Sequence, residues 1–259
     1  MNFDEYRAVD AVNWSTLKAL RTSPRHYQHA LLREDKTDSV PRRLGRALHT
    51  LILEPLQFEE RHPEFTGKVR RGKGWEEFLN EHPDADPLTQ EELGRVYRMA
   101  DAIRSNEFAL SHLVEGVTEK TLQWKDPDTG IDCKGRCDSV NGHLVELKTC
   151  NGKDFPPARF QNHAARLLYH GQVAYYADGL VATGYKVDDH PAMIVAESES
   201  PFDVAVYALK PEFIEYGRTV YKRLLWKLAE CQRLSRWPGV GSEKELSLGL
   251  PAWAELEAL

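Results

Sequence analysis

The spacing of apolar residues divides the chain into a helical first third and a mixed remainder. Apolar positions recur at helical intervals in four segments, 12–21, 42–53, 75–82 and 90–106. Asn13 or Ser15 offers an N-cap for the first of these helices, and Pro24 suits the first position of another. Pro55 stops the helix that contains residues 42–53. Between the second and third helices, residues 61–75 predict a loop rich in Arg, Lys and Gly.

After residue 117 the pattern changes to alternation at every second position, which is typical of strands. Strands are predicted at 118–125, 133–140, 143–149, 193–197 and 203–209, and long helices at 159–183 and 211–236. We therefore predict one α/β domain over residues 1–259. Its parts are a mainly helical segment (1–110), a sheet with a helix (111–210), and a C-terminal helix with a tail (211–259).

The second and third strands carry the most informative residues. Asn141-Gly142 predicts a tight hairpin turn between them. Alternation then places Glu146 and Lys148 on one face and Leu147 on the other, and Asp138 can face the same point. Two carboxylates and an ammonium suit a magnesium-dependent phosphodiesterase, because hard oxygens hold Mg²⁺ and a lysine can orient the attacking water. The same string also fits a ribbon with salt-bridging charges on its exposed face.

Four further residues bear on that choice. His49 lies on an apolar helix and is either a metal ligand or a core histidine. Glu119 opens the first strand and either supports a second metal or lies exposed at a strand edge. Gln172 and Tyr176 share one helix face at i and i+4. They would contact DNA or steer Lys148, or they belong to a core helix with a tyrosine stripe.

Basic residues cluster in two places. The cations are Lys68, Arg70, Arg71 and Lys73 in the loop, and Arg42, Arg43 and Arg46 ahead of His49. Such a run is usually a solvated surface. Beside an acidic metal cleft it would instead bind phosphate, since guanidinium groups bind phosphate in a bidentate manner.

Composition narrows the range of functions. The net charge is −6 and the pI is about 6.0, which is unusual for a module that coats DNA but compatible with a nuclease whose cations line a channel. No apolar run approaches the ~20 residues of a membrane span, and Met1–Arg7 has no apolar signal region. The four cysteines contain no CxxC pair. We expect a cytoplasmic protein without a membrane segment.

In this order the motifs resemble the RecE-type exonucleases (exonuclease VIII), relatives of phage lambda exonuclease in the PD-(D/E)XK nuclease superfamily. The matching elements are Asn13-Trp-Ser-x-Leu, Ser23-Pro, Gly45-x3-His49, Leu53-Glu-Pro55, Arg70-Arg71-x-x-Gly74, Glu119, Cys137-Asp138, Glu146-x-Lys148-Thr, Tyr169-His-x-Gln172-x3-Tyr176, Trp237-Pro-Gly and Pro251-x-Trp253. The resemblance covers most of the chain. It implies a restriction-endonuclease-like core, in which helices flank a central mixed β-sheet, with a helical N-terminal elaboration.

The same resemblance implies an activity and partners. The activity is Mg²⁺-dependent, processive digestion of linear double-stranded DNA from its 5′ ends, which leaves 3′ single-stranded tails. The implied partners are DNA ends, a single-strand-annealing recombination protein, and further copies of the chain in a ring of three or four. A phage or prophage origin in a bacterial host would follow.

The resemblance also assigns roles. His49, Asp138, Glu146 and the backbone carbonyl of Leu147 would bind Mg²⁺, for which Mn²⁺ would substitute, and Lys148 would hold the attacking water. Glu119 would support a second metal, and Gln172 and Tyr176 would line the cleft. The 5′-phosphate would bind among Arg42, Arg43, Arg70, Arg71 and Lys73. Position 146 is Glu rather than Asp, and the superfamily accepts either.

Two alternatives stay open. A RecB/Cas4-like repair nuclease often holds an iron–sulfur cluster through four cysteines, several of them after the active site. Here only Cys231 follows residue 150, so we expect no iron–sulfur cluster. The other alternative is an inactive, scaffold-type protein that binds DNA ends. That alternative predicts the loss of Asp138, Glu146 or Lys148, and all three are present.

Overall fold

A computed structural model describes residues 3–32, 39–67, 69–186, 190–242 and 245–250. Lys68 of the basic loop and the closing motif Pro251-x-Trp253 therefore lie outside the described residues, as does the tail beyond residue 250. Among the described helices, none combines the length and the apolar character that a membrane crossing requires.

The strands form one central sheet and one small pair. The pair is β1 (Glu64–Phe65) with β2 (Leu88–Thr89), and the sheet contains β3 (Val117–Lys125), β4 (Asp132–Asn141), β5 (His143–Cys150), β6 (Ala192–Glu197) and β7 (Val204–Ala208). The sheet order follows the chain order from β3 to β7. Within this five-stranded sheet β5 and β6 are the parallel pair, and the other neighbouring strands are antiparallel. The predicted mixed sheet is confirmed.

Eleven α-helices are present among the described residues. They are α1 (Phe3–Ala8), α2 (Trp14–Leu17), α3 (Pro24–Leu32), α4 (Val40–Leu53), α5 (Phe58–Arg61), α6 (Lys73–Glu81), α7 (Gln90–Ser105), α8 (Glu107–Leu113), α9 (Pro157–Arg166), α10 (Tyr169–Ala182) and α11 (Pro211–Leu234). The Asn13 side chain accepts a hydrogen bond from the Thr16 amide at 3.0 Å, so the predicted N-cap is present. After α2 the chain tightens into a 3₁₀ turn, Lys18–Arg21.

Each face of the sheet packs against its own layer of helices. One hydrophobic core joins the first face of the sheet to α2, α9, α10 and α11, through residues such as Leu17, Val173 and Leu225. A second core joins the opposite face to α4 and α7, through residues such as Leu48 and Met99. The predicted α/β architecture, with helices on both faces of the sheet, is therefore present.

The predicted single helix over 159–183 is wrong. The structure divides it into α9 and α10 at Leu167 and Leu168. Leu168 adopts a left-handed backbone conformation (φ 60°), which costs a non-glycine residue about 1–2 kcal/mol, and its buried side chain joins the core below α10. Helix α8 was not predicted, although Asn106 accepts a hydrogen bond from the Ala109 amide at 3.0 Å and caps it.

Candidate active site

The site forms where the regular pairing of β4 with β5 ends. The ladder runs from the hairpin turn to Ser139 and Val145 and does not continue. Cys137 and Val140 both pack in the core on the α10 side. Since strict alternation would place residues three apart on opposite faces, the alternation is broken between them. The break turns Asp138 toward α4, on the other face of the sheet.

A second irregularity lies directly across from Asp138. In the register of β3 with β4, Glu119 is opposite Asp138, between the pairs Thr118–Ser139 and Lys120–Cys137. Glu119 has a left-handed backbone (φ 51°), a conformation that is unusual for a non-glycine residue inside a strand. The sequence pattern of β3 gives no sign of it.

Three potential metal ligands converge at this irregularity. His49 on α4 places Nδ1 3.4 Å from Oδ1 of Asp138. One ligand atom from each of His49, Glu119 and Asp138 lies within 4.8 Å of the others. The second carboxylate oxygen of Asp138 accepts a hydrogen bond from the Leu147 amide at 2.8 Å. That bond ties β4 to β5 after the ladder has ended.

Glu146 and Lys148 reach the same point from the α10 side of the sheet. Oε2 of Glu146 accepts hydrogen bonds from Lys148 Nζ at 2.7 Å and from Gln172 Nε2 at 2.8 Å. Lys148 Nζ also lies 3.8 Å from Oδ2 of Asp138 and 5.5 Å from the centre of the Tyr169 ring. Leu147 packs into the opposite core, so the predicted alternation of residues 146–148 is present.

The two carboxylates have pKa values displaced in opposite directions. Burial raises the pKa of Glu146, as does the charge of Asp138, and the Lys148 ammonium only partly offsets these effects; the result is a pKa of about 7. Burial also opposes ionisation of Asp138, but the charges of His49 and Lys148 outweigh it and lower that pKa to about 2. Asp138 is therefore a permanent anion, and Glu146 becomes one most readily when a cation arrives.

The two basic groups have pKa values that the neighbouring carboxylates raise. Burial disfavours the His49 imidazolium, yet the charge and hydrogen bond of Asp138 overcome this and raise its pKa. Burial likewise disfavours the Lys148 ammonium, and the charges of Glu146 and Asp138 raise its pKa above the ordinary value. Lys148 is thus a hydrogen-bond donor and a fixed positive charge.

Glu119 is connected to a second ionic group. Its carboxylate forms an ion pair with Arg136, and Arg136 Nη2 lies 3.3 Å from Oε1 of Glu54. Burial, followed by the charge of Asp138, raises the pKa of Glu119, although Arg136 opposes the change. Glu119 therefore borders the His49 and Asp138 pair while Arg136 occupies one of its oxygens.

Tyr176 and Gly45 lie beside the site in different ways. The Tyr176 ring is buried in the α10 core and packs on Gly135, where an added Cβ would come within 2.9 Å of the ring. Burial raises the pKa of the Tyr176 phenol well above its ordinary value. At Gly45 an added Cβ would lie 3.3 Å from Oγ1 of Thr149. The glycine thus allows α4 to approach β5 closely.

The predicted phosphate-binding cations divide into paired and exposed groups. Glu92 binds both Arg43, at 2.7 Å, and Arg70, and Arg43 is itself buried. The other three, Arg42, Arg71 and Lys73, are exposed. Lys73 lies 3.6 Å from Glu77, an exposed pair one helical turn away, which leaves it accessible to another anion.

Lys18 also lies near the site, and that position was not predicted from the sequence. It is exposed on the 3₁₀ turn after α2. Desolvation, and then the positive charges of Lys148 and Arg42, lower its pKa. A lone lysine at a helix end carries no sequence signal of proximity to residues 130 positions away, so only the packing of α2 on the α10 layer reveals it.

The donor set fits a hard divalent cation. The residues offer two or three carboxylates and one imidazole, ligands that suit Mg²⁺ and Mn²⁺. Glu146 is 0% exposed, and no donor among the described residues reaches its Oε1. A buried carboxylate oxygen without a partner is costly. A cation bound next to Asp138 and Glu146 would satisfy it.

Comparison with known proteins agrees with this geometry. A family model described as "PDDEXK-like domain of unknown function (DUF3799)" matches residues 13–246. The crystal structure of a protein named "Putative exonuclease", from Eubacterium rectale, aligns with 100% of this chain and 98% of its own, with a TM-score of 0.65 and 12% identity. That likeness concerns the fold. A second solved structure, SSO0001, covers 81% of this chain and 84% of its own at 15% identity, but its TM-score of 0.29 carries no argument.

No curated protein matches the chain. The family match extends over both helix layers, the central sheet and all the residues of the site described above. Together with the Asp138, Glu146 and Lys148 geometry, it supports a nuclease. The chain belongs to the family of PDDEXK-like domains designated DUF3799, within the PD-(D/E)XK nuclease superfamily.

Proposed function

We propose that the protein is a metal-dependent exodeoxyribonuclease that digests linear double-stranded DNA processively from 5′ to 3′ and leaves 3′ single-stranded tails. The observation that carries the nuclease activity is the convergence of Asp138, Glu146 and Lys148, with an Oε1 of Glu146 that is buried and that no donor among the described residues reaches. The exonuclease polarity and the duplex substrate rest on the resemblance to RecE-type enzymes.

His49, Asp138, Glu146 and the carbonyl of Leu147 would hold Mg²⁺, with Mn²⁺ as a substitute, and Glu119 would support a second ion. When bound, the cation stabilises negative charge on the phosphate and makes water a better nucleophile. The buried Glu146 supplies the negative charge that the site needs for a cation, and Asp138 stays ionised at every physiological pH.

The other side chains hold the reacting groups in place. Lys148 remains an ammonium, so it orients the attacking water and the phosphate by donating hydrogen bonds rather than by accepting a proton. Gln172 and Lys148 both donate to Oε2 of Glu146. They thereby direct its other oxygen toward the cation. Tyr176 supports this arrangement from the core.

The proposed function also implies binding partners. Arg42, Arg71 and Lys73 are the exposed cations that would bind the 5′-phosphate, with Arg43 and Arg70 as their supports through Glu92. Processivity would arise from a ring of three or four copies that encloses the DNA. A single-strand-annealing protein would receive the 3′ tails, in the cytoplasm of a bacterium that carries the gene on a phage or prophage.

The test is digestion of a linear duplex labelled at the 5′ or the 3′ end, with Mg²⁺, by the wild type and by Lys148→Ala. We expect early release of the 5′ label and a rate at least ~10³ lower in the variant, because a charge-stabilising group has been removed. Lys125→Ala is the matched control, since Lys125 is an exposed lysine at the far end of β3.

Circular duplex and EDTA complete the experiment. Cleavage of circles would contradict the exonuclease, and early release of the 3′ label would contradict the polarity. Binding of DNA ends without hydrolysis in Mg²⁺ or Mn²⁺ would contradict the enzyme and favour the end-binding scaffold.

A further inference from the structure

Three segments of the chain that contribute residues at or beside the site contain no acidic residue. The chain contains 40 Asp and Glu residues and has a net charge of −6, yet residues 11–32, 39–53 and 155–177 contain none. These segments carry Lys18, His49 and Gln172, which all lie at or beside the site. These three segments are therefore neutral or positively charged, although the chain as a whole is acidic.

One exposed part of these acid-free segments is a face of α9. Arg159, Asn162, His163 and Arg166 are spaced to share that face, and with Asp154 they line a surface depression of about 280 Å³. The Arg166 side chain is 68% exposed. Asp154 is the one acidic residue of the lining, and it accepts hydrogen bonds from Asn151 and His163 at 3.2 Å each.

The 3₁₀ turn after α2 extends this face toward the site. Arg21 donates a hydrogen bond from Nη1 to the carbonyl of Arg166 at 3.0 Å. Trp14, on the preceding helix, packs so closely on Gly171 that an added Cβ would lie 2.3 Å from its ring. Lys18 is exposed on the same turn, and no carboxylate or other acceptor among the described residues binds its ammonium.

The structure also fixes how far this surface lies from the chemistry. The Tyr169 ring lies 5.5 Å from Lys148 Nζ and 6.1 Å from the His163 ring. The α9 face therefore begins within about 12 Å of Lys148. Because successive phosphates of one duplex strand advance by about 3.4 Å along the axis, a strand held at Lys148 would reach this face within a few nucleotides.

We propose that Lys18, Arg21, Arg159 and Arg166, here called the α9 basic face, bind the sugar–phosphate backbone of one DNA strand, a few nucleotides from the cleaved bond. The proposal rests on the proposed nuclease function and adds a substrate-binding surface to it. Contacts to phosphate carry no sequence information. The α9 basic face would therefore hold DNA of any sequence, as progressive digestion requires.

The first test measures binding alone, in a Lys148→Ala background that leaves DNA intact. Arg159→Gln with Arg166→Gln removes two charges from the α9 basic face. The control, Lys125→Gln with Lys222→Gln, removes two exposed charges near the turn that joins β3 and β4. Fluorescence anisotropy gives the Kd of a labelled duplex between 50 and 200 mM salt.

The double variant Arg159→Gln with Arg166→Gln is called the α9 pair below. We expect it to lower the slope of log Kd against log salt concentration by about 1.8, since each lost phosphate contact removes about 0.9. At 0.1 M salt the Kd should rise about 10- to 100-fold. The control should stay within twofold of the parent. Arg159→Lys with Arg166→Lys keeps both charges and should keep the slope, which separates charge from packing. An unchanged Kd and slope in the α9 pair would overturn the proposal, as would an equal loss in the control.

Hydrolysis distinguishes this proposal from the nuclease function beneath it. With Lys148 restored, the α9 pair should raise KM for a long duplex and leave kcat within about threefold. Duplexes too short to extend from the cleaved bond to the α9 basic face should show no change in KM. If the wild type binds DNA through this face but hydrolyses none, the nuclease function fails and the surface stands. If it hydrolyses DNA and the α9 pair changes neither KM nor Kd, only the surface fails.

Discussion

Gln172 provides a direct test of how this protein would prepare the proposed metal site. Gln172→Met removes the 2.8 Å hydrogen bond to Oε2 of Glu146 with little change of volume. Glu146 is fully buried, and a hydrogen bond to a buried charge is worth about 1.5–3 kcal/mol. At 1.4 kcal/mol per factor of ten, the loss corresponds to a roughly 10- to 100-fold weaker affinity for the cation, the range observed when partners of metal ligands are removed.

The assay is isothermal titration of Mn²⁺ and Mg²⁺ into the metal-free protein, followed by the metal dependence of DNA hydrolysis. Gln232→Met is the matched control, because Gln232 is exposed on α11, away from the site. We expect hydrolysis by Gln172→Met to recover at high metal concentration, since Lys148 still donates to the same oxygen. An affinity within twofold of the wild type would refute the reasoning that Gln172 directs Glu146 toward the cation.

Other predictions concern stability. Glu92→Gln removes the carboxylate that binds the buried Arg43 and the neighbouring Arg70, so urea denaturation at pH 7 should show a loss of about 3–5 kcal/mol. Burial opposes ionisation of Glu92, but hydrogen bonds from Arg43 and Thr89 lower its pKa in the folded state. The contribution of the Glu92 charge to the free energy of unfolding is therefore complete above the unfolded-state pKa of about 4.3. It disappears as the pH falls through the folded-state pKa. The difference in unfolding free energy between wild type and Glu92→Gln should thus shrink from pH 5 to pH 2, and a constant difference would contradict this assignment. Gly217→Ala would place a Cβ 2.0 Å from the carbonyl oxygen of His170, so α10 and α11 must separate; thermal unfolding should show a loss of at least about 1–3 kcal/mol, and an unchanged melting temperature would show that the helices adjust freely.

Local patterns were sufficient for most elements of the fold. The predicted bounds of β3, β4 and β5 agree with the observed bounds within two residues at each end, and Asn141-Gly142 marks the hairpin between β4 and β5. The exceptions depend on long-range packing. Leu167 and Leu168 favour a helix locally, and only the burial of Leu168 in the core accounts for the break there.

The site was predictable as a set of residues but not as a geometry. Asp138, Glu146 and Lys148 are close in sequence, and a hairpin brings them together. Regular alternation, however, would not turn Asp138 toward His49. That orientation depends on the broken alternation in β4 and on the left-handed Glu119 opposite it. The pairing of Arg43 with Glu92, 49 positions apart, was equally invisible in a sequence read alone.

The position of the site between the two helix layers has a consequence for folding. His49 belongs to α4 and its core, whereas Glu146 and Lys148 face α10 and the other core. An ion held by residues from both faces would link the two hydrophobic cores across the sheet that separates them. At a concentration 100 times its Kd, such an ion adds about 2.7 kcal/mol to the free energy of unfolding. The proposed cation would then also stabilise the packing of both helix layers on their shared sheet.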